Sequence, residues 1–147
     1  MILLSQRDPR WADKPIGASN IKLGRYGCTV TCISMLTDYA GAWQRPDEIA
    51  SHKDWFTKDG LVLWSKLSLP AITFEKRLYG KNDDEIMKSL KDPNKAVILQ
   101  VQNYHWVVCI GKNWSGSYRI ADPWTGKKAN ISKYNNEITG SAHFSIF

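Results

Sequence analysis

Residues 96–111 read AVILQVQNYHWVVCIG, two apolar runs separated by the polar triplet QNY. Each run has the length of a strand and is rich in β-branched and aromatic residues, which favours extended structure. A short polar connection between two such runs is typical of antiparallel strands joined by a turn. We therefore expect strands at 96–101 and 105–111, with His105 opening the second strand directly after the turn.

Further strand signals follow toward the C-terminus. SYRIAD at 117–122 and AHFSIF at 142–147 have a similar strand-like composition. The sequences NWSG and DPWTG between the runs are turn signals. The chain after Pro93 therefore predicts an antiparallel sheet.

Four helices are expected before or between these strands. The clearest one covers 28–40, where apolar residues recur at helical spacing. Pro46 suits the first turn of a second helix, and GLVLWSKLSL at 60–69 predicts a third. Asn82 has the character of an N-cap for a fourth.

Helices first and strands later indicate an α+β fold, with N-terminal helices covering one face of a C-terminal antiparallel sheet. The 147 residues have the length of one ordinary domain, so we expect 1–147 to form a single domain. The longest apolar stretches are far shorter than the roughly 18 residues that a membrane span needs. The start MILLSQRDPRW lacks the positively charged leader of a signal peptide, which predicts synthesis in the cytoplasm.

Lysine and arginine total 20 against 14 aspartate and glutamate residues, a formal net charge of +6. A positive surface attracts polyanions in general, including nucleic acid, anionic lipid and the anionic polymers of bacterial walls. The basic residues are spread along the chain, and no RNP-type motif, zinc-finger spacing or arginine-rich arm is present. We therefore expect no nucleic-acid partner, and the oligomeric state stays open.

Three cysteines, Cys28, Cys32 and Cys109, do not form the even set of a disulfide framework. Cys28 and Cys32 are one helical turn apart, so a metal pair with a distant histidine is conceivable. No second closely spaced ligand pair exists, and we expect neither a metal nor a cofactor.

The stretch RYGCTVTCISML at 25–36 places Cys28 between a glycine and the start of the predicted helix. The positive end of the helix dipole favours a thiolate there, and Gly27 allows close backbone approach at the helix entry. Cys32 and Cys109 have no such help and are interpreted as small buried hydrophobic residues.

A nucleophilic cysteine needs a base and a group that orients the base. His105 opens its strand beside a turn, and Asp122 ends the next strand in IADPW, so antiparallel pairing can bring the two side chains together. Each has a plainer explanation, as a strand-edge histidine and an Asp-Pro turn residue. His52 and His143 have no comparably placed carboxylate and are assigned surface or core roles.

Four motifs, SQRDPRW, GCTVTCISML, YHWVVCIG and ADPW, together resemble the papain-like cysteine peptidases related to the bacteriocin-processing, double-glycine leader peptidases. The resemblance spans Gln6 to Trp124 and keeps the order Gln, Cys, His, Asp. Similar stand-alone domains occur in phage and bacterial sequences. The chain departs from the usual pattern at Thr29 and Val30, where many relatives have Gly and Pro, and these changes affect the shape of the cleft rather than a catalytic atom.

The resemblance implies a papain-like fold and a role for each matched residue. Cys28 corresponds to the nucleophile, His105 to the general base and acid, and Asp122 to the carboxylate that orients the imidazole. Gln6 corresponds to the glutamine whose amide, with the backbone N–H of Cys28, holds the oxyanion of a tetrahedral intermediate.

The resulting expectation is a cysteine peptidase or amidase that acts through a thioester, as an endolysin-like or virion-associated enzyme that cleaves peptidoglycan peptides. The leader-peptidase role fits less well, because that enzyme normally forms part of a membrane transporter. Trp11, Trp106 and Trp124 are candidates for lining an extended substrate groove. The alternatives are a non-catalytic wall-binding or virion structural module, and an acyltransferase with the same triad.

Overall fold

Six strands form one antiparallel sheet in the computed structural model, which describes all residues from Met1 to Phe147. In chain order the strands are β1 (Ile72–Tyr79), β2 (Lys95–Val101), β3 (His105–Lys112), β4 (Tyr118–Asp122), β5 (Lys127–Asn130) and β6 (Ile138–Ile146). Their spatial order is β1-β6-β2-β3-β4-β5. Strands β2 to β5 thus follow one another across the sheet, while β6 returns to lie between β1 and β2.

Four α-helices accompany the sheet: α1 (Leu23–Tyr26), α2 (Cys28–Tyr39), α3 (Pro46–Ala50) and α4 (Asp83–Lys91). Short 3₁₀ helices occur at Lys53–Trp55, Trp64–Lys66 and Ile131–Tyr134. None of the helices has the length and apolar character needed to cross a membrane. The mixed composition of helices and an antiparallel sheet confirms the coarse fold class that the sequence predicts.

Helices cover both faces of the sheet, so the expectation of helices on one face is wrong. In β2, Ala96 and Ile98 pack into the core beneath α2, whereas Val97 and Leu99 pack on the opposite face, where α4 lies. A strand that is buried on both faces needs apolar residues at consecutive positions rather than at alternate ones. The unbroken run AVIL was the sequence signal for this arrangement.

The predicted helix at 60–69 is also wrong, since this segment contains only the 3₁₀ turn at Trp64–Lys66. An isolated bridge pairs Phe56 with Val62 and draws residues 57–61 into a turn. Gly60 in that turn has a φ of +79°, which lies outside the helical region. Tertiary pairing therefore overrides the helical spacing of the apolar residues.

Two strands were not anticipated, β1 and β5. Strand β1 lies at the edge of the sheet, and its mixed burial gives ITFEKRLY no clean alternation of apolar and polar residues. Strand β5, KKAN, contains almost no apolar residue because it forms the opposite edge. Edge strands commonly carry charges, which weakens the hydrophobic signal that sequence patterns depend on.

Helix α4 begins after Asn82 as expected, but the Asn82 side chain does not cap it. Its amide donates instead to the carbonyl oxygen of Tyr79 at 2.9 Å, in the preceding turn. Instead of a side-chain cap, acidic residues in the first turn of α4 stabilise the positive end of the helix dipole.

A buried cluster of Ser89, Ser141 and His143 joins α4 to the sheet. The hydroxyl of Ser89 lies 2.7 Å from His143 Nδ1, and that of Ser141 lies 2.9 Å from His143 Nε2. Burial, together with the nearby charge of Lys76, lowers the pKa of His143 below its ordinary value, although Glu85 and Glu75 act in the opposite direction. His143 therefore has a core role, one of the two roles that the sequence left open for it.

This depressed pKa makes stability depend on pH in a defined direction. As the pH falls below the ordinary histidine value of 6.5, the unfolded chain takes up a proton at this position before the folded protein does. The contribution of His143 to the free energy of unfolding therefore decreases on acidification through this window. We expect the free energy of unfolding of His143→Gln to fall less than that of the wild type between about pH 7.5 and 5.5, measured by urea denaturation.

The matched control is His52→Gln, since His52 is exposed. This variant should keep the wild-type pH dependence. If both substitutions changed the pH dependence of the free energy of unfolding equally, the effect would not come from the burial of His143.

Candidate active site

Cys28 is the first residue of α2 and follows a sharp junction with α1. A Cβ atom added at Gly27 would lie 2.5 Å from the carbonyl oxygen of Leu23, far inside van der Waals contact. Only glycine fits this junction, which explains the sequence Gly27-Cys28 in physical terms. The thiol is thereby fixed at the positive end of a helix of 12 residues and is 8% exposed.

His105 and Asp122 are brought together by the register of β3 and β4. Val108 of β3 pairs with Ala121 of β4. Because the strands are antiparallel, the next residue of β4, Asp122, lies opposite the preceding residue of β3, Val107. His105, two residues before Val107, points to the same face of the sheet. Its Nε2 lies 2.9 Å from Asp122 Oδ1, as the antiparallel pairing predicts.

Asp122 is completely buried and is surrounded by four donors. Oδ1 accepts from His105 Nε2 and from the backbone N–H of Trp124, both at 2.9 Å. Oδ2 accepts from Lys133 Nζ at 2.6 Å and from the hydroxyl of Tyr134 at 2.5 Å. The carboxylate thus has a fixed orientation and a compensated charge.

Sequence reasoning missed Lys133 and Tyr134. Both lie on the 3₁₀ helix Ile131–Tyr134 that follows β5, and no motif or spacing distinguishes them from other surface residues. The Tyr134 ring also packs against the imidazole of His105, with ring centroids 5.2 Å apart. Both side chains are thus in contact with the His105–Asp122 pair.

The electrostatics of the pair favour an ionised carboxylate and a protonated imidazole. Burial alone would raise the pKa of Asp122, but the hydrogen bonds from His105, Lys133, Tyr134 and the Trp124 N–H hold it well below its usual value. Burial alone would lower the pKa of His105, yet the hydrogen bond to Asp122 and the proximity of Cys28 raise it to about 9. The imidazole therefore carries a proton at neutral pH.

Cys28 lies close enough to His105 to contribute to this shift, but no hydrogen bond of normal geometry joins them. Since Nε2 faces Asp122, the remaining ring nitrogen, Nδ1, is the one available to the thiol. Loose contacts of this kind are common in cysteine sites without a bound substrate.

Gln6 is placed beside the site by the backbone. Its N–H donates to the carbonyl oxygen of Pro123 at 2.7 Å, directly after Asp122, and its side-chain Nε2 makes a long 3.4 Å bond to the carbonyl oxygen of Gly24, in α1. The side chain therefore lies between the Asp122 turn and the helices that carry Cys28. It is 1% exposed, and its Oε1 has no hydrogen-bond partner within the protein.

Cys28 lines a groove of about 440 Å³, a volume typical of small-ligand sites. Aliphatic and aromatic side chains form much of its lining, among them Ile16, Ile21, Phe56, Leu61, Val62 and Trp106. The groove gives the thiol a surface on which an extended chain can lie.

The three tryptophans proposed for substrate binding have different positions. Trp11 is completely buried in the core, so its assignment to a groove is wrong; its indole N–H donates to the Ser5 carbonyl oxygen at 2.9 Å. Trp106 lines the groove beside Cys28. Trp124 is 41% exposed and stacks with the guanidinium of Arg7, whose carbon lies 4.2 Å from the ring centre.

The other two thiols lack the features of a nucleophile. Complete burial raises the pKa of Cys32 well above its usual value, and its Sγ donates to the Trp106 carbonyl oxygen. Burial raises the pKa of Cys109 to about 12. All three cysteines are free thiols, and no group of three or more His, Cys, Asp or Glu side chains is arranged to hold a metal ion.

Comparison of the sequence with models of known protein families gives no match. A search of curated proteins likewise finds no match. The assignment of a function therefore depends on the arrangement of Cys28, His105, Asp122 and Gln6.

Iodoacetamide should label Cys28 first near neutral pH, at least tenfold faster than Cys32 or Cys109. Cys28 lines the groove and has an imidazolium partner, whereas the raised pKa values of the other thiols leave them almost entirely protonated. Peptide mapping after a short alkylation measures the three rates. His105→Ala should slow the labelling of Cys28, and faster labelling of either other thiol would exclude Cys28 as the nucleophile.

Lys133→Met should raise the pKa of His105 above about 9. The ammonium group of Lys133 shares the Asp122 carboxylate with the imidazole, so its charge opposes that of the imidazolium. An NMR titration of the His105 ring measures the midpoint. Lys133→Arg should keep the wild-type midpoint. An unchanged midpoint in Lys133→Met would mean that the charge of Lys133 does not influence the pKa of His105.

Proposed function

We propose that this protein is a cysteine peptidase or amidase with a papain-like arrangement, in which Cys28, His105 and Asp122 form the catalytic triad. The observation that supports this most directly is the position of His105, which is held by Asp122 through Nε2 and has its other nitrogen free for the thiol at the groove. A buried histidine with a raised pKa beside a cysteine at a helix N-terminus is the combination that nucleophilic thiol chemistry requires.

In the first half of the reaction, the Cys28 thiolate attacks the carbonyl carbon of the scissile amide and forms a C–S bond. The carbonyl oxygen becomes an oxyanion, for which the Cys28 N–H and the Gln6 amide are the proposed donors. One proton of Gln6 Nε2 faces the Gly24 carbonyl oxygen, which leaves the other for this role. His105 gives its Nδ1 proton to the leaving nitrogen as the C–N bond breaks.

In the second half, water attacks the thioester. His105, now neutral, takes a proton from the water at Nδ1, and the C–S bond breaks to release a carboxylic acid and the Cys28 thiolate. Asp122 stays ionised throughout and keeps the imidazole in one orientation. The cycle ends with the thiolate and imidazolium in place.

For the substrate, we propose peptides of the bacterial wall, with an endolysin-like or virion-associated role. The groove beside Cys28 suits an extended peptide, and a net charge of +6 attracts the anionic polymers that accompany peptidoglycan. Trp124, exposed and stacked on Arg7, adds a flat face near the Asp122 turn for peptide or glycan contact.

Purified protein should release new free amino groups from isolated peptidoglycan, and Cys28→Ala should abolish this release. Because Cys28 is small and lies at a helix end, the alanine variant should change the melting temperature by only a few degrees. Amino-group labelling of walls from several bacterial types, beside a panel of ordinary peptides, measures the activity.

Cys109→Ala is the matched control, since that thiol lies outside the groove and should leave activity intact. Cleavage of the ordinary peptides without cleavage of any wall would contradict the proposed wall substrate, but it would still support peptidase activity. Products extended by an added amine would indicate acyl transfer. Inactivity toward all substrates would favour a non-catalytic binding module on this fold.

A further inference from the structure

The groove beside Cys28 has an unusual charge for this protein. Asp59 is the one carboxylate in its lining, which contains no lysine or arginine. Elsewhere basic residues outnumber acidic ones, with 20 against 14 in the chain. The groove is therefore a locally acidic, largely apolar region of a basic molecule.

Asp59 is held at the tip of a tight turn. The N–H of Thr57 donates to the Leu61 carbonyl oxygen at 2.8 Å, and the N–H groups of Asp59 and Leu61 both donate to the Thr57 hydroxyl, at 3.3 and 3.1 Å. The Phe56–Val62 bridge closes the turn at its base. The backbone at Asp59 is thus well determined.

The Asp59 carboxylate itself has no partner in the protein. Asp59 is exposed, and its side chain makes no ion pair or hydrogen bond. Many other acidic side chains here are paired with a cation, as Glu75 is with Lys95 and Glu85 with Lys76. Asp59 is available to a ligand in the groove.

The remaining lining suits an aliphatic chain that ends in a cation. Ile21, Leu61 and Val62 offer apolar contact for methylene groups. Tyr104 and Trp106 add aromatic faces, which attract an ammonium group. The guanidinium carbon of Arg77 lies 4.9 Å from the Trp106 ring centre, but Arg77 donates to the Leu78 carbonyl oxygen and to Gln100 Oε1 and does not line the groove.

We propose that the groove is a specificity site for a peptide residue whose aliphatic side chain ends in a primary amine, with Asp59 as the ion-pair partner of that amine. This inference rests on the proposed peptidase function, since it takes the groove beside the nucleophile as the place where the substrate chain lies. It names the substrate class: peptides with a lysine-type side chain close to the scissile bond.

The test measures binding separately from turnover. Cys28→Ala protein is titrated by calorimetry with blocked peptides that differ at one position, which holds lysine, its neutral isostere norleucine, or glutamate. The lysine peptide should bind about fivefold more tightly than the norleucine peptide, the scale of an exposed ion pair, and the glutamate peptide most weakly. The lysine preference should shrink as salt is raised.

Adding Asp59→Asn should remove the difference between lysine and norleucine, and Asp59→Lys should reverse the order of lysine and glutamate. Asp54→Asn is the matched control, because Asp54 is an exposed neighbouring carboxylate outside the lining and should leave the preference unchanged.

Equal binding of the lysine and norleucine peptides, a preference that survives Asp59→Asn, or no binding of the lysine peptide overturns the specificity site. If wild-type protein cleaves the lysine and norleucine peptides equally, the specificity site is also overturned, but the proposed peptidase activity is supported. Wild-type protein that binds lysine peptides in an Asp59-dependent way but cleaves none contradicts the proposed function and leaves the binding site in place.

Discussion

The buried carboxylate of Asp122 is the group on which the rest of the site depends. An ionised carboxylate with no solvent contact is strongly disfavoured unless its oxygens are satisfied, and here four donors satisfy them. Those donors come from β3, from the turn after β4 and from the 3₁₀ helix after β5. One charge therefore fixes the relative positions of three separate segments, and the imidazole of His105 is oriented as a result.

The turn that follows Asp122 also positions the N-terminal segment. The N–H of Gln6 and the guanidinium of Arg7 both donate to carbonyl oxygens of this turn, those of Pro123 and Trp124. A Cβ atom at Gly126 would lie 3.1 Å from the backbone nitrogen of Ser5, so the two segments pack closely against each other. The proposed oxyanion donor and the proposed orienting carboxylate thus share one structural support, although they are far apart in the sequence.

Much of the fold was predictable because its central elements bury apolar residues. Helix α2 and strands β2, β3, β4 and β6 follow from hydrophobic spacing and turn residues alone. The edge strands β1 and β5 were missed because charged residues obscure their pattern. The segment 60–69 was assigned wrongly because the Phe56–Val62 bridge, a tertiary contact, determines its path.

The sequence by itself offered Cys28, His105 and Asp122 as candidates, through the local signals of Gly27-Cys28, the start of β3 and the Asp-Pro turn, and the resemblance of the four motifs to papain-like peptidases implied their roles. Only the tertiary structure decided that Trp11 is buried, that Lys133 and Tyr134 contact Asp122, and that Asp59 is the one carboxylate in the groove lining. The physical reason is that helix starts, turns and strand periods are properties of neighbouring residues. Burial, charge compensation and the lining of a groove depend on residues that folding alone brings together.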